Sequence, residues 1–143
     1  MNAEYLIKTG RKHFTALMGV LIALSAINSL YEIVFGVSYG MLGVQIASTA
    51  LIVMGTVIVL KGFRRRNLLF AILLFSGIFS FYEAGTRTDD LRKVDMGAIP
   101  LVTLVLGLAL IFGAIYLLYS TEIKTFLDQK VIQRDRIKEE SLM

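Results

Sequence analysis

Two short segments of the chain repeat a pattern that can do chemistry in an apolar setting. Ser25-Ala26-Ile27-Asn28-Ser29-Leu30-Tyr31-Glu32 and Ser76-Gly77-Ile78-Phe79-Ser80-Phe81-Tyr82-Glu83 lie 51 positions apart and agree at five of eight positions. In each, Ser, Ser and Glu fall at i, i+4 and i+7, which puts them on one face of a helix. Asn28 joins that face in the first segment. Each segment is thus a polar stripe ending in a carboxylate, with a tyrosine beside it.

The stripe has two readings. Small residues four apart let helices approach closely, and Ser or Asn can hydrogen-bond across the contact. On this reading Glu32, about 27 Å along its helix from Phe14 at 1.5 Å per residue, reaches water, and Tyr31 and Tyr82 are interfacial aromatics. In the alternative, Glu32 and Glu83 share a cavity and bind a cation or hold a proton, with Tyr31, Tyr82, Ser25, Ser29, Ser76, Ser80 and Asn28 around them. Burial and a neighbouring like charge are what let a carboxyl hold a proton.

The elements that carry these stripes are apolar blocks. Of 143 residues 56% are hydrophobic and 18% charged, against about 45–50% and about 25% in soluble domains. The apolar residues gather in four stretches, at about 14–35, 41–60, 68–84 and 98–119. About 20 apolar residues cross a hydrocarbon core of about 30 Å, so the chain is expected to be an all-α polytopic membrane protein. The first block is too long for the apolar core of a cleaved signal, and no convincing cleavage site follows it, so it is expected to stay.

Short connections make the first and second helices, and the second and third, antiparallel neighbours, and a four-transmembrane-helix bundle is the simplest result. The repeated stripe, placed at equivalent points of helices one and three, points to two tandem helical hairpins. Gly36 and Gly40 suit the first reversal, and Pro100 suits a first helical turn.

Basic residues set the expected orientation. Lys8, Arg11 and Lys12 precede the first block; Lys61, Arg64, Arg65 and Arg66 lie between the second and third; Lys124, Lys130, Arg134, Arg136 and Lys138 follow the fourth. Basic flanks stay cytoplasmic, so both termini are expected inside, in a cell membrane. Arg64, Arg65 and Arg66 are candidates for contact with anionic lipid head groups, although the orientation signal alone accounts for them. In the last loop, Arg87, Arg92 and Lys93 are countered by Asp89, Asp90 and Asp95, which reads as solvated. Residues 121–143 read as a cytoplasmic amphipathic helix or a solvated tail.

Other chemistry finds little support. Without cysteine there is no disulfide framework, thiolate metal site or thiol nucleophile, and no catalytic or phosphate-binding motif is present. No metal or other cofactor is expected, nor nucleic acid as a partner, since the basic residues flank apolar blocks. His13, the one histidine, sits among basic residues at a block's edge. Thr49, Thr56 and Thr103 can bond to their own helix carbonyls, and Gln45 is a candidate to join the polar cluster. The expected protein is a non-enzymatic accessory or oligomerising membrane subunit, with a homo-oligomer or a partner membrane protein; the alternative is a small proton- or cation-coupled transporter or channel using Glu32 and Glu83.

Overall fold

The computed structural model describes residues 2–34, 39–87 and 99–142. The expected reversal at Gly36 and the loop carrying Asp89, Asp90, Arg92, Lys93 and Asp95 lie outside the described residues. Five helices follow one another: α1 (Ala3–Val34), α2 (Tyr39–Leu60), α3 (Arg66–Arg87), α4 (Ile99–Tyr119) and α5 (Thr121–Glu140). The first four each contain a stretch long and apolar enough to cross a membrane. Only 28% to 39% of the most apolar window of each span is buried. Large side chains such as Val20, Leu30, Phe75, Leu101 and Phe112 point outward. An apolar surface of that extent is unsuited to water and compatible with lipid tails.

α1 to α4 form a ring in which each helix packs on its chain neighbours and α1 closes against α4. The closest pair is α3 and α4. Gly77 and Gly107 meet at their crossing, where a Cβ on either would stand 3.0 Å from the other's carbonyl oxygen. Backbone approach of this kind replaces the hydrophobic driving force that helices lack in lipid.

The bundle has two cores. Toward one end Phe14, Met18 and Leu21 of α1 pack with Ile52 and Val59 of α2, Leu69 and Leu73 of α3, and Leu110, Ala114 and Leu117 of α4. Toward the other end the same helices bury Ser25, Asn28, Ser29 and Glu32; Gln45; Ser80 and Glu83; and Thr103. The change from apolar to polar falls at a similar depth on every helix.

One feature departs from the expected outline. α1 begins at Ala3, eleven residues before the apolar block, and its 32 residues extend about 48 Å. The residues from Ala3 to His13 are too polar to signal a span, but α5 supports them. α5 is separate from α4: the chain breaks at Ser120, whose side chain accepts the Ile123 N–H at 3.3 Å as an N-cap. α5 then turns under the apolar end of the bundle, burying Ile123, Phe126 and Leu127. Gly10 is the contact point on α1, where a Cβ would stand 2.0 Å from the Glu122 carbonyl oxygen. Phe14 and Phe126 pack with ring centroids 6.1 Å apart.

The far end of α5 meets the connection between α2 and α3. α2 ends with Gly62 at φ +79°. The Gly62 N–H donates to the Val59 carbonyl at 3.0 Å and the Phe63 N–H to that of Ile58 at 3.4 Å, the Schellman pattern that glycine suits. The N-terminal segment, this connection and α5 therefore gather at one end of the molecule, with twelve of the fifteen Lys and Arg residues.

Candidate functional site

The polar end is organised by one chain of hydrogen bonds that visits all four helices. Thr103 of α4 donates its hydroxyl to Asn28 Oδ1 of α1 at 3.0 Å. Asn28 Nδ2 donates to Gln45 Oε1 of α2, and Gln45 Nε2 donates to Glu83 Oε2 of α3 at 2.9 Å. All these donors run the same way and end on a carboxylate oxygen. Chains of this kind polarise one another in a low-dielectric interior. Removing a middle member leaves a buried donor and a buried acceptor without partners.

Glu32 and Glu83 are each 1% exposed and Asn28 is fully buried. Glu32 stands one helical turn beyond Asn28 on the face that carries Ser25 and Ser29. Neither carboxylate lies open to water, which departs from the reading in which Glu32 reaches the aqueous interface. The physical reason is the ring itself: the stripes of α1 and α3 both turn inward, and α2 and α4 supply polar groups at the same depth.

The two repeated serines lead to neighbouring residues of α2. Ser25 and Thr49 share a hydrogen bond at 2.6 Å, and Ser48 donates to Ser76 at 2.8 Å. Ser29 donates to the carbonyl of Ser25 at 3.1 Å. Ser80 is buried beside Ser25, Gln45 and Ser48 around a cavity of about 10 Å³, near the least volume that holds one water molecule. Tyr82 is 67% exposed on the outside of the bundle and Tyr31 is half-buried, so Tyr82 stands apart from the cluster.

Gln45 proves to be the junction between the two stripes. Thr103, read as bonding to its own helix, instead crosses to Asn28. Thr56 bonds to the Ile52 carbonyl at 2.7 Å, and Thr49 bonds both to the Gln45 carbonyl at 3.0 Å and to Ser25. Thr103 is the one hydroxyl of its apolar stretch before Tyr116, whereas Ser48 lies three residues after Gln45 and beside Thr49, a polar spacing that could have marked this face of α2. His13 lies at the other end, with Nδ1 3.0 Å from the Tyr116 hydroxyl. Among the described residues no three His, Asp or Glu side chains gather as a metal site.

At the basic end Arg64 pairs with Asp135 at 3.6 Å, both well exposed, a contact that contributes little. Arg65 is exposed, and Arg66 opens α3 half-buried. The Glu122 carboxyl at the start of α5 is held below its ordinary range. Its own backbone N–H is the main cause; the Ser120 hydroxyl and the nearby His13 add to it, against a small opposing effect of burial.

Compared with known protein families, characterised proteins and solved structures, the chain matches none.

Proposed function

We propose that the protein spans a cell membrane four times, with the basic end and both termini in the cytoplasm, and that its polar core binds and passes a proton or a small cation. In this reading it is a small proton- or cation-coupled transporter or channel. Glu32 and Glu83 carry the charge; Gln45 and Asn28 orient Glu83 and couple it to α1; Thr103, Ser25 and Ser80 complete the polar surroundings.

One observation carries this reading: both carboxylates are 1% exposed within the polar half of a bundle whose outside is apolar. Glu32 and Glu83 lie in the last turns of α1 and α3, and acidic residues that face the interior of a membrane bundle mark ion and proton pathways. The gathering of twelve basic residues at the opposite end supports the orientation, because basic flanks stay cytoplasmic.

The test is flux. Proteoliposomes holding the purified chain and an internal pH-sensitive dye are given a membrane potential in solutions with and without Na⁺ or K⁺. Wild type is expected to carry current or protons above empty liposomes, and Glu32→Gln, Glu83→Gln and the double variant are expected to lose it. Equal flux in wild type and the double variant would overturn the proposal, as would wild type that matches empty liposomes.

A second reading rests on a different surface. Gly43, Ala47 and Ala50 of α2 face outward, and Gly43 has nothing within 4 Å of where its Cβ would stand. Small residues at this spacing let another membrane helix approach, as an accessory or oligomerising subunit requires. On this reading Ala47→Leu breaks an assembly visible by mass in detergent and leaves the single chain folded; the same mass for both proteins counts against it.

A further inference from the structure

The basic end of the molecule contains a groove that the proton- or cation-handling core does not use. It lies between the end of α2 and the second half of α5 and encloses about 370 Å³. Its lining includes Lys61, Lys130, Arg134 and Lys138, with Leu60 and Ile137, and no lining residue is acidic. Lys130, Arg134, Ile137 and Lys138 fall at i, i+4, i+7 and i+8, so α5 presents them on one face. The Arg64–Asp135 pair is the one ion pair among the described residues, so none of the four cations is in direct contact with an acidic side chain, although Asp128, Asp135, Glu139 and Glu140 lie on other faces of α5.

The walls are set by backbone. Gly62, in the left-handed region, lies against α5 so closely that a Cβ would stand 2.5 Å from the Lys130 carbonyl oxygen and 3.1 Å from Arg134 Cβ. The Arg134 guanidinium lies 3.5 Å from the centroid of the Phe63 ring, an arrangement that holds it in place without cancelling its charge. Four like charges around one opening repel each other, and an anion relieves that repulsion. The volume is in the range of small-molecule sites, about 300–1,000 Å³.

We infer that this groove binds the head group of a phospholipid carrying two or more phosphate charges. The inference shares with the proposed function only the premise that the bundle is in a membrane. The apolar residues identify a lipid as the source of the phosphate. Leu60 ends an apolar span, and Leu60 and Ile137 are 40% and 68% exposed, so an acyl chain leaving the head group has an apolar path along α2. The phosphate site is thus assigned to the α2–α5 groove; Arg64, Arg65 and Arg66 are not part of its lining.

The test uses the purified full chain in phosphatidylcholine nanodiscs, titrated with cardiolipin, which carries two phosphates, and read by native mass spectrometry of the released protein. Wild type is expected to retain cardiolipin in preference to phosphatidylglycerol. Lys61→Gln/Lys130→Gln/Lys138→Gln is expected to weaken retention roughly 100-fold, because three charge-assisted contacts to the phosphates are lost together. Lys8→Gln/Lys12→Gln/Lys124→Gln removes the same charge elsewhere and is expected to leave retention unchanged. Gly62→Ala keeps every charge and is expected to weaken retention by displacing α5.

Equal losses in the two triple variants would overturn the inference, showing attraction to the whole surface. Inorganic pyrophosphate displacing cardiolipin from wild type at equal concentration would also overturn it, showing a site for soluble phosphate. Absence of any cardiolipin adduct on wild type would do the same, and this arm needs no variant to fold. A chain that stays dispersed without detergent or lipid would instead refute the membrane premise.

Discussion

The two halves of the bundle are built from the same four helices and bury opposite kinds of surface. The half over α5 is held by the packing of Phe14, Met18, Leu21, Leu73, Leu110 and Leu117. The other half places Ser, Asn, Gln, Thr and Glu at the equivalent depth, joined from Thr103 to Glu83. A hydrogen bond between membrane helices contributes about 0.6 kcal/mol, and removing one partner of a buried bond costs more than the bond contributes. The same four helices are thus held by different means, close packing in one half and directed hydrogen bonds between helices in the other.

If so, damage to the two halves should differ in kind. The largest loss of stability is expected at Phe14, which joins the apolar half to α5. Phe14→Ala should cost about 3–5 kcal/mol, measured by denaturant unfolding in detergent micelles, and should loosen α5 along with the bundle. A cost below that of a polar-half substitution would break the comparison.

Asn28→Leu comes next. It fills the space but strands the Thr103 hydroxyl and Gln45 Oε1, and is expected to cost about 1–3 kcal/mol. Flux should fall far more than stability, because Glu83 loses its orientation by way of Gln45. Activity that tracks stability alone would make the chain a packing device. A double-mutant cycle on Ser25→Ala and Thr49→Ala sharpens the point, with an expected coupling of about 0.6 kcal/mol.

The smallest effect belongs to the start of α5. The Glu122 carboxyl is depressed below its ordinary value of 4.5, so its contribution is complete above that value and is lost as pH falls through the lower value of the folded state. Hydrogen exchange at the first turns of α5 should quicken modestly across that acidic window, and Glu122→Gln should remove the pH dependence. Ser120→Ala should also weaken it, because the serine hydroxyl donates to Glu122 Oε2 at 3.0 Å.

Much of this plan could be read from residues. Length and hydropathy gave four membrane-length helices, and the i, i+4, i+7 spacing gave the stripes of α1 and α3. The residues that complete those stripes were harder. Gln45 and Ser48 of α2 and Thr103 of α4 form no repeated stripe like those of α1 and α3, and their meaning depends on which helix faces which. The helical segment before Phe14 was hidden because its stability comes from a contact more than 100 residues away, at Gly10 and Glu122. The close approach of α3 and α4 rests on Gly77 and Gly107, which in sequence are two glycines among many. Spacing within one helix is local information; pairing between helices is not.

In the proposed function, Glu32 and Glu83 exchange a proton or cation inside the polar half. Infrared difference spectra of the reconstituted chain, recorded between two pH values and between cation-free and Na⁺- or K⁺-containing buffer, report buried carboxyl groups directly. Wild type should show a reversible change in the carboxyl bands, part of it lost in Glu32→Gln, part in Glu83→Gln, and all of it in the double variant. Spectra of wild type and the double variant that coincide under every condition would contradict it.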